Sequence, residues 1–272
     1  MMTTILGHMC QPFDVDGERF SWREAGSGAL VILLHGLGGS RLSWQSQLTG
    51  LPHHRVAAWD MPGYGASPPP AEVTFRSLAS DVVDFIDTLG EQRAHVVGIS
   101  FGGMIAQYVA AWHPEVVRSL TLLSTSPAFG LDGTDAAGWQ AARLAPLEAG
   151  LRPTDFAEQV LRGIAGPYIT DEAFEEQRIA MARVPAAGLR RSIACLVTHD
   201  SRALLADITA PTLCLVGELD EETPPQYAQY LAAHIGGARL EIIPAAGHLL
   251  NAEAPDAVNR LIVTFIDDVE AP

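Results

Sequence analysis

Short, almost wholly apolar runs alternate with longer amphipathic stretches along this chain, and that alternation restricts the fold more than any other feature. Residues 19–24, 30–34, 55–60, 94–99, 119–124, 212–217 and 239–244 have strand length and favour β-branched and aliphatic side chains. Several show no polar alternation, which suits strands covered on both faces by helices and therefore a parallel sheet. Helical spacing appears over 74–89, where Leu78, Val82, Val83, Phe85, Ile86 and Leu89 recur, and again over 102–112, 225–234 and 255–269. Between 127 and 207 the strand pattern stops and Ala, Arg and Glu dominate, with single Pro and Gly breaks. The expected architecture is α/β: a mostly parallel central sheet flanked by helices. Its core comes in two parts, 1–126 and 208–272, around a short helical cap at 127–207.

Composition narrows the function. A chain of 272 residues with 48% hydrophobic residues can bury a large core. No window approaches the ~18 uninterrupted apolar residues of a membrane-spanning helix, so no membrane partner is expected. The first ten residues carry no basic residue before their apolar stretch and no small-residue cleavage site, which reads as a cytoplasmic chain. Cys10, Cys195 and Cys214 are too scattered for a disulfide framework or a Cys-x-x-Cys pair. The net charge is −15, and the basic residues are dispersed singly apart from Arg190 and Arg191, so nucleic acid is not an expected partner. All 17 basic residues are arginine. Without lysine there is no Walker-A loop, kinase ATP site, pyridoxal Schiff base or lysine aldolase.

The chain's single G-x-S-x-G is Gly98-Ile99-Ser100-Phe101-Gly102. An apolar strand enters it and an amphipathic helix leaves it, the setting of a nucleophile elbow. Small residues at 98 and 102 let a strained turn pass between strand and helix. Serine alone is a weak nucleophile near neutral pH, so a histidine and an orienting carboxylate are required. His248 follows the last strand in a small-residue loop, and Asp220 follows the strand 212–217. Loops at the carboxyl ends of parallel strands share one sheet edge, so Ser100, Asp220 and His248 can converge. Of the nine histidines, His53 and His54 read as a polar connection, His95 opens a strand, His113 ends a helix, and His35 reads as a loop brace. Glu218, Glu221 and Glu222 rival Asp220 and lose on position.

A third element is His35-Gly36-Leu37-Gly38-Gly39-Ser40 after the strand 30–34. Its backbone can approach a substrate closely, and the amides of Leu37 and Phe101 are the expected oxyanion donors. Each such donor is worth ~3 kcal/mol of transition-state stabilisation. A dinucleotide-type phosphate loop fails, because Arg41 stands where G-x-G-x-x-G needs glycine.

The order Ser, Asp, His, the H-G-x-G loop, the stretch 60–67 (Asp60-Met61-Pro62-Gly63-Tyr64-Gly65-Ala66-Ser67) and the G-x-S-x-G-G elbow resemble the α/β-hydrolase superfamily over nearly the whole chain. His95-Val96-Val97-Gly98, the segment 114–120, the short cap and the segment 246–253 resemble the 3-oxoadipate enol-lactonase-like subgroup and the related cofactor-free haloperoxidases. The resemblance implies a serine hydrolase acting on a small ester or lactone through an acyl-enzyme, without metal or cofactor, with a homodimer possible. Perhydrolases and carbon-carbon bond hydrolases share this frame, and so do ligand-sensing proteins with slow or no turnover; a dehydrogenase is the weakest rival. Arg143, Arg152, Arg162, Arg178, Arg183, Arg190 and Arg191 fall in the cap region. An acidic lactone would need one of them, and Arg190 or Arg191 is the expected substrate-binding residue.

Overall fold

The computed structural model describes residues 11–271. Among the described residues eight strands form one sheet in the order β1-β2-β4-β3-β5-β6-β7-β8. They are β1 (Phe13–Asp16), β2 (Ser21–Gly26), β3 (Ala29–Leu34), β4 (His54–Asp60), β5 (Ala94–Ile99), β6 (Val117–Leu123), β7 (Thr212–Gly217) and β8 (Arg239–Ile243). From β4 to β8 every pairing is parallel, whereas β1 on β2 and β2 on β4 are antiparallel. The strand expected at 19–24 therefore starts later: Gly17 N–H bonds Phe20 C=O and closes a hairpin turn ahead of it. β1 went unread because its four residues are largely exposed and too few to show a period. His54, read as part of a connection, is the buried first residue of β4.

Among the described residues ten α-helices accompany the sheet: α1 (Gln45–Gly50), α2 (Phe75–Thr88), α3 (Phe101–Trp112), α4 (Ala136–Glu148), α5 (Pro153–Ile164), α6 (Asp171–Ala182), α7 (Ala186–Leu196), α8 (Pro225–His234), α9 (Leu250–Glu253) and α10 (Pro255–Glu270). Ile32 and Leu34 of β3 pack into a core with residues of α2 and α3, while Val31 and Leu33 pack into a second core with Trp44, Leu48 and α10. Alternate residues of one strand thus serve opposite cores, which is why the central strands carry no polar face. Among the described residues no helix is long and apolar enough to cross a membrane. Cys195 and Cys214 are buried thiols pushed up to about 12 by that burial, so they are poor nucleophiles. Cys10 and the reading of the first ten residues lie outside the described residues.

The strandless stretch holds α4 to α7. Its two ends are pinned together, Phe129 N–H bonding His199 C=O at 2.9 Å and Ser201 N–H bonding Pro127 C=O at 2.9 Å. Beside this neck His199 is buried between the Ser126 carbonyl and the Tyr108 hydroxyl. Burial holds its pKa down at about 4, so it is neutral.

The β5–α3 junction is closely packed against the neighbouring strand. A Cβ on Gly102 would lie 2.0 Å from the Leu34 carbonyl oxygen, a backbone atom that cannot step aside. Gly102→Ala is expected to lower unfolding free energy by about 1–3 kcal/mol in urea titration. Gly163→Ala, whose Cβ meets nothing within 4 Å inside α5, should raise it by up to ~1 kcal/mol.

Candidate active site

Ser100 links β5 to α3 with φ 52° and ψ −120°, a left-handed conformation that a non-glycine residue adopts only when its surroundings hold it there. Its N–H bonds the Leu123 carbonyl of the neighbouring strand at 3.0 Å. Its own carbonyl accepts from Met104 N–H at 3.0 Å and Thr125 Oγ1 at 2.8 Å. The backbone is thereby fixed on three sides and the side chain turns out of the sheet edge.

Ser100 Oγ lies 3.0 Å from His248 Nε2. On the other side of the ring, His248 Nδ1 is 3.1 Å from both Asp220 oxygens, so Nδ1–H donates to the carboxylate and Nε2 is left to accept from the serine. Asp220 leaves β7 and closes an Asx-type turn: Glu222 and Thr223 N–H groups donate to Oδ1 at 3.0 and 2.9 Å, and Thr223 Oγ1 donates to Oδ2 at 2.9 Å. Burial works against the Asp220 charge, but His248 and the Thr223 donors outweigh it and hold this carboxyl below the ordinary carboxylate range. Burial also works against protonating His248, yet attraction to Asp220, its hydrogen bond, and the fields of Glu222 and Glu253 raise the imidazole pKa above the ordinary 6.5.

The loop carrying His248 is clamped by a residue that the sequence did not single out for this role. Glu253 accepts from Gly247 N–H at 2.6 Å and Leu249 N–H at 2.9 Å, one donor on each side of the histidine. His248 N–H itself bonds the Ile164 carbonyl at the end of α5, at 3.2 Å. Nothing in residue spacing marks Glu253, since its partners are main-chain groups. Thr223 had a faint signal as the third residue after Asp220, the position that an Asx turn brings back to its carboxylate.

The rival groups are committed elsewhere. His35 Nδ1–H donates to the Gly36 carbonyl at 2.8 Å and Nε2 accepts from Met61 N–H at 3.1 Å, so both ring nitrogens brace the loop. Burial, the largest influence, lowers its pKa and keeps it neutral. Glu218 accepts from Ala245 N–H at 3.1 Å. Leu37 is fixed by its carbonyl, which accepts from the buried Tyr64 hydroxyl at 2.8 Å, while neither its own amide nor that of Phe101 finds an acceptor among the described residues. Arg41 is buried and paired with Asp14, Asp16 and Asp60, anchoring the turn that follows the glycine loop.

Ser100, His248 and Leu37 border a cavity of about 510 Å³ whose far walls come from α4 to α7, including Trp139, Phe156, Val160, Met181 and Ile193. Arg190 and Arg191 do not reach it, which corrects the expectation for both. Arg190 is bonded to the Leu147 carbonyl and Arg191, exposed, to Pro70 C=O at 3.2 Å. The reason is helical phase: α7 turns Leu189, Ile193 and Leu196 to the cavity, and residues one and two places after Leu189 are rotated ~100° and ~200° away. Arg143 is the arginine on the wall. Among the described residues no group of three or more His, Cys, Asp or Glu side chains gathers as a metal site.

Glu253→Gln should lower the His248 pKa, because it removes one of the negative fields that raise it. Following the His248 Cε1 proton by NMR across pH checks this, and an unmoved midpoint would contradict the clamp's electrostatic part.

The model of the Alpha/beta hydrolase family matches residues 31–261. A Variovorax paradoxus protein bearing the name carbamate hydrolase RutD is 33% identical over 90% of this chain and 94% of its own length. The 3-oxoadipate enol-lactonase 1 of Acinetobacter baylyi is 28% identical over 88% of this chain and 89% of its own. Among solved structures, a hydrolase from Pseudomonas aeruginosa is 31% identical with a TM-score of 0.82, over 94% of this chain and 98% of that one. With the parallel sheet, the sharp turn at Ser100 and this match over most of its length, the chain belongs to the alpha/beta hydrolase family.

Proposed function

We propose that the protein is a serine hydrolase that cleaves a small carboxylic ester or lactone through an acyl-enzyme. The observation that carries this reading is the hydrogen-bonded line Ser100–His248–Asp220, with distances of 3.0 and 3.1 Å, opening onto an apolar cavity. In the first half-reaction His248 Nε2 takes the Ser100 proton as Oγ bonds the carbonyl carbon. The carbonyl electrons move to oxygen, where the Leu37 and Phe101 amides donate to the oxyanion. Collapse breaks the bond to the alcohol oxygen, which leaves with the proton from His248. Water then attacks the acyl-serine by the same route, giving its proton to His248, and the acid departs as Ser100 recovers a proton. Asp220 stays ionised throughout, holding the Nδ1–H tautomer and stabilising the imidazolium. The relatives' names point to carbonyl compounds of this kind, a lactone and a carbamate, and each presents a carbonyl carbon to a serine.

The stretch 127–207 acts as a cap in this reading. Its helices supply apolar walls over the serine and exclude water, which strengthens every charge interaction inside. In this reading Arg190 and Arg191 lie off the cavity wall.

Ser100→Ala is expected to retain the fold and lose about 10⁴–10⁶ in kcat, His248→Ala a similar factor and Asp220→Asn less. Hydrolysis of p-nitrophenyl esters and of aliphatic lactones, with a carbamate in the panel, measures it. Substantial turnover by well-folded Ser100→Ala would end the assignment. A fluorophosphonate should add to Ser100 alone by peptide mass spectrometry, and a chelator should leave turnover unchanged. The base must be neutral to accept a proton, and its folded pKa is raised. The kcat/KM profile should therefore climb with pH through a midpoint above the ordinary histidine value of 6.5. A midpoint below it would contradict His248 as base.

A further inference from the structure

Apart from His248, two ionisable side chains among the described residues line the cavity, and they neutralise each other. Arg143, on α4, donates from Nη2 to Glu222 Oε1 at 2.9 Å, and both side chains border the space above Ser100. They are about one-third exposed, at 32% and 34%. The Arg143 guanidinium also lies 5.1 Å from the ring centre of Trp139, a wall residue one turn back on the same helix. The other ion-paired arginines of the stretch 127–207, among the described residues, hold partners a few positions away: Arg152 with Asp155, Arg162 with Glu158, Arg178 with Glu175, Arg202 with Asp200. Arg143 alone of this set reaches across to the loop that bears Asp220.

We propose that Glu222 is a specificity-determining residue: by neutralising Arg143 it makes the cavity select esters and lactones that carry no carboxylate. The inference rests on the ester-hydrolase reading above and names its substrate class. A guanidinium facing an apolar cavity is the natural partner of a carboxylate, through two parallel N–H donors. With Glu222 in contact, an incoming carboxylate meets a like charge and must displace it before Arg143 can be used. The remaining walls offer no second cation: the Gln177 and Asn251 amides donate to the Ser43 carbonyl, Gln159 is neutral, and a carboxylate laid against Phe156, Val160 or Ile193 would lose hydration without gaining a partner. A pair this exposed adds little to stability, so its consequence is felt in discrimination between substrates. The net charge of −15 repels anions in the same sense at long range, but it is screened over ~8 Å at physiological salt and is nearly common to all variants.

Glu222→Gln isolates the charge. The main-chain N–H of residue 222, which donates to Asp220 Oδ1 at 3.0 Å, is retained. Loss of the Glu222 field on His248 affects every substrate alike and cancels in a ratio. The measurement is kcat/KM at one pH and one ionic strength for p-nitrophenyl hexanoate against mono-p-nitrophenyl adipate, which places charge on the acyl half. Phenyl hexanoate against para-carboxyphenyl hexanoate places it on the alcohol half. In Glu222→Gln the anionic-to-neutral ratio should rise about tenfold in at least one pair, the worth of one charge-assisted hydrogen bond. The double variant Arg143→Ala/Glu222→Gln should lose that gain, and Glu222→Ala should give the same sign as Glu222→Gln. Ratios that stay at their wild-type values in Glu222→Gln, or a gain that survives loss of Arg143, would overturn the proposal. Failure of the ester-hydrolase reading itself looks different: Ser100→Ala would turn over the neutral hexanoate esters as fast as wild type.

Discussion

The site depends on one backbone residue held in a conformation it would not choose. Ser100 at φ 52° costs about 1–3 kcal/mol relative to a relaxed residue. That cost is met by the rigidity of β5 and α3 on either side and by the bonds to Leu123, Met104 and Thr125. The reward is directional. A serine in a regular strand would point into one of the two cores, and one inside a helix would lie along its surface. The turn instead lifts Oγ off the sheet edge and places the Phe101 amide at the first position of α3, where it has no intrahelical acceptor. Both follow from the same strained turn.

The electrostatics around that serine oppose burial with charge. His248 is almost enclosed, and enclosure alone would make it a weak base with a low pKa, as it does for His199. Three carboxylates reverse the sign at His248: Asp220 in contact, Glu222 beside it and Glu253 behind the loop. The protonated imidazole is therefore stabilised in advance by fixed negative charge. The chain's acidity is put to use locally, and its surface charge repels the same anions that the paired Arg143 declines to bind.

Both cores could be read from the chain, because alternate apolar residues in a strand have only two faces to serve and neither was polar. The three hydrogen-bonded residues were equally open to reading: strand ends in a parallel sheet share an edge whatever the loops do. What escaped were features without periodicity or side-chain logic. β1 is too short to show a period. Glu253 acts on main-chain amides, which every residue possesses. Arg190 and Arg191 were chosen by charge density in a segment whose helical phase was unknown, and a rotation of ~100° per residue is enough to turn a substrate contact into a surface group. Arg143 carried the same charge in the same segment, and only its place on the cavity wall and its ion pair with Glu222 distinguish it.

The stretch 127–207 is tied by backbone contacts to the loops that carry His248 and the glycine run. The Ile164 carbonyl at the end of α5 holds the His248 amide. Just beyond, Gly166 and Gly247 approach so closely that a Cβ on Gly166 would lie 2.7 Å from the Gly247 nitrogen. Gln177 of α6 donates to the Ser43 carbonyl at 3.2 Å, and Asn251 donates to the same carbonyl at 2.7 Å, so one helix of the stretch and one of the core hold the turn behind the glycine loop. These contacts join the cavity walls to the backbone that carries His248 and the glycine loop. A change in the walls that shifts α5 or α6 by a few tenths of an ångström therefore moves His248 or the glycine loop with it, and at hydrogen-bond lengths near 3.0 Å such a shift weakens the proton path. Substrate choice in this fold can be altered cheaply only through side chains that leave those backbone contacts in place, and the Arg143–Glu222 pair is of that kind, because its atoms lie on the wall and its backbone bonds do not depend on its charge.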